Sequence, residues 1–283
     1  MEVVNVFQSI PNILIMIERN NMITKFDVFL ACAPKDFIKL PYVVNSLIEF
    51  VPQMDNIFVC SFEKIPMEIA GKLPSSIKFF LDDEILPELD RSKWVYRPNW
   101  HTQQCLKLLQ RVTSDWYLTW DCDTIACRKI NFIENDKPIY YSGWEQEHKP
   151  YFVFQKKLID IGKIAPMTFI ADMNFIYRPY VTEMLDANYY TIDTFIKTCQ
   201  VLAQDETRYM AEPELYGSYI WKNHRDEYTY KKLSQPPFEG RIHENKFICV
   251  YTEDEVKERI NRYKNGEYDT FSIHSWFIED RST

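Results

Sequence analysis

Glycine is scarce in this sequence: six residues, against fifteen prolines, in a chain of 283. That excludes collagen-like repeats and flexible glycine linkers. It also leaves no glycine-rich phosphate loop near the N-terminus. There is no run of Lys or Arg, and the formal charge is −8 with a pI near 5.3. Nonspecific binding to nucleic acid is therefore not expected. No uncharged stretch reaches membrane-spanning length. Ile10 to Ile17 is apolar but short, without a basic leader or a small-residue cleavage site, so no secretory signal is expected. The seven cysteines are odd in number and form no Cys-x-x-Cys pair. They read as reduced thiols of a reducing compartment, and a cytoplasmic protein is expected, with room for peripheral contact with a membrane surface.

What is abundant is hydrophobic and aromatic: 46% and 16% of the residues, enough for a sizeable core. Phe26–Cys32, Asn56–Ser61 and Ile77–Leu81 read as buried strands, and Leu40 to Val51 between the first two carries apolar residues at helical spacing. This alternation predicts an α/β fold with a mixed, mainly parallel central sheet flanked by helices. Asn99 to Val112 predicts an amphipathic helix with Gln103, Gln104 and Lys107 off its apolar face. Further strands are expected at Pro138–Trp144, Thr168–Tyr177 and Lys246–Tyr251. Helices are expected at Val181–Asn188, Thr191–Ala203, from Ala211 towards Trp221, and at Glu253–Lys264. No internal repeat or domain boundary is visible.

The chemistry concentrates at Trp116–Thr124. Trp116 to Trp120 reads as a buried strand, and Asp121 and Asp123 follow where it should end. Residues i and i+2 of a strand project to one side, and open α/β sheets bind ligands at the carboxyl ends of their strands. Two carboxylates so placed repel unless a cation lies between them. Mg²⁺ and Mn²⁺ take carboxylate oxygens and bridge to phosphates. The pair therefore suggests a metal–diphosphate site, against the bland reading of a solvated turn.

Strand-Asp-x-Asp after an α/β half resembles the GT-A-type nucleotide-sugar glycosyltransferases, and more narrowly a less-studied bacterial and viral glycosyltransferase-like group. The resemblance is carried by Ala33-Pro34-Lys35-Asp36, Trp100-x-x-Gln103-Gln104-x-x-Lys107, Trp120-Asp121-Cys122-Asp123, Glu212-Pro213-Glu214-Leu215-Tyr216-Gly217 and His274-Ser275-Trp276. It implies one GT-A-like domain over residues 1–283, with a nucleotide-binding half at about 26–125 and an acceptor-binding half with a C-terminal extension at about 126–283. The implied activity is metal-dependent transfer of a hexosyl or pentosyl group from a nucleotide diphosphate sugar, a UDP-sugar being expected, to a saccharide or glycan, with inversion. Alternatives are a sugar nucleotidyltransferase and a catalytically silent carbohydrate-binding protein.

Carried over, Asp123 would bind Mn²⁺ or Mg²⁺ directly, Asp121 would meet it through water or hold the donor's ribose or sugar, and His274 would complete the coordination. Ala33 and Pro34 would contact the base through their backbone. Asp36 would be a polar contact or the N-cap of the following helix, the cap being favoured. Asp82 would meet base or ribose, or be a solvated turn. Gln103 and Gln104 would line the donor site, and Lys107 would meet a phosphate or be an exposed helix lysine. The candidate bases are Glu212 and Glu214 at a helix start, and Asp172 within an apolar strand, which would otherwise bind the sugar or acceptor. Trp144, Tyr151, Phe152, Tyr189, Tyr190 and Trp221 are either core or acceptor-stacking surface, Trp144 being singled out for a binding loop.

Overall fold

The computed structural model describes residues 23–143, 147–236, 242–243, 246–247, 252–264 and 268–274. Trp144, Ser275, Trp276, most of the first 24 residues and most of the expected strand to Tyr251 lie outside these.

The strands expected first are present as β1 (Phe26–Ala31), β2 (Met54–Ser61) and β3 (Lys78–Leu81), with helix α1 (Leu40–Phe50) between β1 and β2. Pro41 falls in the first turn of α1, where its missing N–H costs nothing. Two four-residue helices, α2 (Met67–Ala70) and α3 (Asp82–Ile85), flank β3. Helix α4 (Pro98–Leu109) leads into β4 (Trp116–Asp121). The sheet runs β3-β2-β1-β4 in parallel and is closed by β8 (Met173–Tyr177), antiparallel to β4. Helices flank it, so the expected mixed, mainly parallel α/β architecture is the one formed.

Strand alternation divides the core. Phe29, Ala31, Phe58, Cys60 and Tyr117 face one layer, which includes Cys105, Leu108 and Leu109 of α4. Val28, Leu30, Val59, Leu118 and Trp120 face the other, which includes Val43, Val44 and Leu47 of α1. Both faces are apolar, which is why these strands read as continuous hydrophobic runs.

Beyond β4 the chain adds β5 (Thr124–Ala126), a hairpin of β6 (Ile133–Glu134) and β7 (Lys137–Ser142), and helix α5 (Lys149–Ile159). After β8 come α6 (Arg178–Ala187), α7 (Ile192–Leu202), α8 (Glu212–Asn223) and β9 (Thr229–Lys232), which pairs parallel with β7. A small pair β10 (Ile242–His243) and β11 (Lys246–Phe247), helix α9 (Glu253–Tyr263) and β12 (Thr270–Ser272) complete the described elements. β12 runs antiparallel to β5, pairing Ser272 with Thr124.

Two expectations are corrected. The strand expected over Thr168–Tyr177 is only Met173–Tyr177, so Asp172 lies just before β8 and not within it. β8 does end at Tyr177, and Arg178-Pro179 opens α6 directly after it, again with proline in a first turn. Asp36 does not cap α1: Lys39 occupies the cap position without a side-chain bond, and Asp36 ends a 3-10 turn that begins at Pro34. Helix α5 was not expected from the sequence.

Candidate active site

The carboxyl ends of β1 and β4 meet side by side, with Ala31 paired to Asp121. Tyr117, Thr119 and Asp121 share one face of β4, the face that α4 covers. On α4, Gln103 and Lys107 are four residues apart and therefore lie on one stripe of the helix. Both reach Asp121. The Lys107 ammonium pairs with Asp121 Oδ1. The Gln103 amide lies 3.5 Å from the same oxygen and 3.4 Å from the Ala31 carbonyl.

Lys107 is thus no exposed helix lysine; its side chain is 5% accessible. Its second partner is Glu212, whose Oε1 lies 3.9 Å from Nζ. Glu212 is the first residue of α8, and its amide donates to Gln104 Oε1 at 2.8 Å, so the buried Gln104 ties α8 to α4. Neither Glu212 oxygen accepts a hydrogen bond among the described residues. Burial pushes the Glu212 carboxyl up to about 7, against the lowering influence of Lys107. Burial also lifts Asp121 to about 6, with the nearby charges of Asp123 and Asp172 adding to it and Lys107 opposing. Lys107 itself would lose affinity for its proton on burial, but Asp121 and Glu212 outweigh that and raise it.

Asp123 belongs to a different set. The strand ends at Asp121, and Cys122 and Asp123 lie in the turn to β5. The two carboxylates therefore take different partners, although they remain close enough for each charge to affect the other. Asp123 Oδ2 lies 3.4 Å from His274 Nδ1. Burial acts to raise Asp123, yet the His274 bond and charge prevail and hold it at about 2. Asp123 in turn pulls His274 up to about 9 against its burial. His274 arrives here because β12 docks on β5, the Ile273 amide donates to the Asp123 carbonyl at 2.7 Å, and the Thr124 and Ser272 hydroxyls bond at 2.8 Å.

Lys39 fixes the same segment from the other side. Its ammonium donates to the Ile273 carbonyl at 2.6 Å and to Asp36 Oδ1 at 2.7 Å. Asp36 is accordingly a buried ion-pair partner, with its carboxyl raised by burial. Ala33 and Pro34 form the turn after β1, where the Ala33 carbonyl accepts from the Asp36 amide. Asp82 sits at the end of β3, two strands from β1. Arg91 holds its Oδ2 at 2.5 Å and the Cys60 thiol donates to Oδ1 at 3.2 Å, so it is no solvated turn.

Asp172 reaches the cluster through the β4–β8 pairing. Its carbonyl accepts the Asp121 amide at 2.8 Å. Its Oδ2 accepts from Gln235 Nε2 at 2.7 Å and from the Ser272 hydroxyl. Glu214 lies elsewhere: its Oε2 accepts the Phe169 amide at 2.9 Å, and burial raises it to about 7. The structure thus brings together Gln103, Gln104, Lys107, Asp121, Asp123, Asp172, Glu212 and His274, and separates Asp82 and Glu214 from them. Lys39, Gln235 and Ser272 escaped the sequence reading. Nothing local marks Gln235, whereas Ser272 stands two residues before His274.

The set can do two things. Lys107, flanked by two carboxylates, is a fixed buried cation beneath the strand ends. Asp123 and His274, partly open, offer one oxygen and one nitrogen. Among the described residues no group of three His, Cys, Asp or Glu side chains could by itself hold a metal ion. Two donors suit a hard cation that keeps waters and takes substrate phosphate oxygens for the rest of its shell.

Residues 43–173 match a family of unknown function (DUF6492), a span that includes Lys107, Asp121, Asp123 and Asp172 and stops before Glu212 and His274. No curated protein matches the sequence. Among solved structures the chain is similar to the galactosyltransferase LgtC in complex with donor and acceptor sugar analogues, at 11% identity over 87% of this chain and 86% of that one, TM-score 0.45. It is similar to mouse xyloside xylosyltransferase 1, at 11% identity over 88% and 97% of the two chains, TM-score 0.43. It is also similar to the mannosyltransferase Ktr4p of S. cerevisiae, at 9% identity over 88% and 84%, TM-score 0.49. Likenesses this distant carry no argument about activity; the geometry of the site has to do so. No helix among the described residues is long and apolar enough to cross a membrane.

Proposed function

We propose that the chain is a glycosyltransferase that moves a hexosyl or pentosyl group from a nucleotide diphosphate donor, a UDP-sugar, to a saccharide acceptor. The observation that carries this reading is the division of labour at the strand ends. A buried Lys107–Asp121–Glu212 triad stands beside an open Asp123–His274 pair, with Asp172 at their edge. A hydrolytic acid pair would need no buried lysine, and a purely structural ion pair would need no second, open acid–histidine pair next to it.

Asp123 and His274 would hold Mn²⁺ or Mg²⁺. The cation, when bound, stabilises the negative charge that builds on the diphosphate as it leaves. Lys107 and Gln103 both hold Asp121 by Oδ1, which would leave Oδ2 for the donor. The turn at Ala33–Pro34 lies beside Asp121 across the β1–β4 pairing and is placed to receive the nucleoside. With inversion, the acceptor hydroxyl needs a base that touches it. Asp172 is the candidate the geometry favours: Gln235 and Ser272 hold its Oδ2, which leaves Oδ1 for the hydroxyl proton. Glu212 acts instead as a positioning residue, through Lys107.

The test is a thermal-shift and turnover screen of nucleotide sugars with and without Mn²⁺, on the native chain and on Asp123→Asn and His274→Ala. A donor-specific shift that needs Mn²⁺ and disappears in both variants is the expected result, since a ligand that binds only the folded state stabilises it by mass action. Unchanged turnover in Asp123→Asn would overturn the site. Affinity for glycans with no turnover of any donor would make this a binding protein.

A further inference from the structure

Helix α8 begins at the acid cluster and leads, nine residues later at Trp221 in its last turn, to a second feature. Around its last turn lies a surface cavity of about 620 Å³. At 1.5 Å per residue, Trp221 stands about 14 Å along the helix axis from Glu212. Trp221, Tyr230 and Met167 form the floor, and Lys137, Arg225 and Asp226 the rim. The Trp221 and Tyr230 rings meet nearly at right angles, 4.8 Å apart. The Arg225 guanidinium lies over the Trp221 ring, 4.1 Å from its centre. Lys137 donates to the Asp226 backbone carbonyl at 3.0 Å. Lys137 and Arg225 both lie at exposed positions. The Tyr230 hydroxyl is buried and accepts or donates no hydrogen bond among the described residues.

Each element implies something about an occupant. An aromatic corner with a methionine beside it packs against the C–H face of a ring. A guanidinium is a rigid fork that matches a carboxylate in two parallel bonds, and a nearby ammonium adds to its field. The Tyr230 hydroxyl is closed to solvent, so Tyr230 offers an occupant its ring and not a hydrogen bond. Asp226 can accept from further hydroxyls. The two rim cations outnumber the one rim carboxylate, so the occupant is anionic.

We propose that this cavity is a second carbohydrate-binding site, for a saccharide that carries a carboxylate. The ring sits in the Trp221–Tyr230 corner, with its acid on Arg225 and Lys137. It rests on the glycosyltransferase reading only for its purpose. A glycan reaching from here towards Asp172 is held at a point remote from the reacting bond, and such remote contacts supply binding energy that can be used at the site of reaction. The segment 163–172 links the two places, because Met167 lines the cavity and Asp172 lies at the acid cluster.

The experiment is an NMR titration of the full chain with trigalacturonate, with the neutral maltotriose and inorganic phosphate as controls. Trigalacturonate is expected to bind saturably, at least tenfold more tightly than maltotriose. Arg225→Ala and Lys137→Ala, both at exposed positions, should each weaken it about tenfold or more, and Trp221→Ala should abolish it. Nucleotide-sugar hydrolysis should be unchanged in Arg225→Ala. Equal binding of trigalacturonate to the native chain and Arg225→Ala, absence of saturable binding, or full displacement by phosphate at equal concentration would each overturn the proposal. A chain that binds trigalacturonate through Arg225 yet turns over no nucleotide sugar would leave this site standing and remove the transferase reading.

Discussion

Lys107 is the group whose removal the structure makes most consequential. Replacing it by Met keeps the bulk of the side chain and deletes only the charge. Two carboxylates then lose their cation: Asp121, and Glu212, which is 1% accessible and 3.9 Å from the ammonium. Coulomb's law at an effective dielectric of about 20 assigns roughly 4 kcal/mol to a pair at that separation. Desolvation of the lysine opposes this, and measured losses on breaking a buried pair run at about 3–5 kcal/mol. For a chain of this size that corresponds to a fall in Tm of about 5–8 °C. Thermal denaturation followed by circular dichroism at about pH 9, above the value of about 7 to which burial lifts Glu212, reads it. The decisive comparison is with Lys107→Met/Glu212→Gln, which removes the uncompensated charge as well. If the loss comes from an orphaned carboxylate, the double variant is more stable than Lys107→Met alone, by about 1–3 kcal/mol, the range of coupling between contacting residues. A double variant that loses the sum of the two single losses, or a Lys107→Met chain within 1 kcal/mol of the native one, would refute the claim that Lys107 neutralises a buried acid pair.

The remaining predictions concern pH and packing. Burial raises the Glu214 carboxyl from 4.5 to about 7, so the stability tied to its protonated form is complete below 4.5 and lost as pH rises through 7; Glu214→Gln should remove up to about 3 kcal/mol of that decline, read as unfolding midpoints from pH 4 to 8. The His224 ring is raised from 6.5 because Glu227 and Glu183 outweigh its burial, so its contribution is complete below 6.5 and fades as pH rises past the raised value. His224→Asn should therefore flatten stability on the alkaline side of 6.5, and an unchanged profile would contradict the assignment. At Gly143 an added Cβ would lie 2.0 Å from the Ile170 carbonyl oxygen, so Gly143→Ala must shift the segment that delivers Asp172; overpacking of this kind costs about 1–3 kcal/mol, and donor turnover should fall by more than donor binding.

Much of the fold was legible because both faces of the sheet are apolar. β1, β2, β3 and β4 are hydrophobic runs that no helical pattern imitates, and α1 and α4 carry their apolar residues at helical spacing. Where the reading failed, a local signal pointed the wrong way. Phe169, Ile170 and Ala171 extend the apolar character of β8 backwards, yet they pack as irregular chain, Phe169 against α8, where a Cβ on Gly217 would lie 2.3 Å from the Phe169 ring. α5 carries Tyr151, Phe152, Phe154, Leu158 and Ile159 at helical spacing, with Lys156 and Lys157 on its exposed side, so its pattern was present in the sequence and was overlooked. The pairing of Gln103 and Lys107 on one helix stripe was available from spacing alone. That Glu212 lies beneath Lys107 was not, and neither was the meeting of His274 with Asp123. The second depends on β12 docking against β5 across 148 residues of sequence, which no local pattern encodes.

The assignment of a base shows how burial decides between groups that a sequence presents as equals. Glu212, Glu214 and Asp172 are three carboxylates that the sequence offers for one role, and each was a fair candidate. A base has to touch the hydroxyl it deprotonates. Glu214 spends Oε2 on the Phe169 amide and lies 2% accessible, so it holds the 163–172 segment and reaches no acceptor. Glu212 lies 1% accessible with Lys107 between it and Asp121, so its charge acts through the lysine on the orientation of Asp121. Asp172 is the partly open one, and it is anchored by one oxygen only. Its two anchors come from Gln235 and from Ser272 on β12, the strand that also carries the chain to His274. Movement of β12 would therefore disturb the proposed base and the proposed cation ligand together. Ser272→Ala should lower turnover through Asp172 while leaving Lys107, Asp121 and Glu212 in place, and its effect should be absent once Asp172 has been changed to Asn.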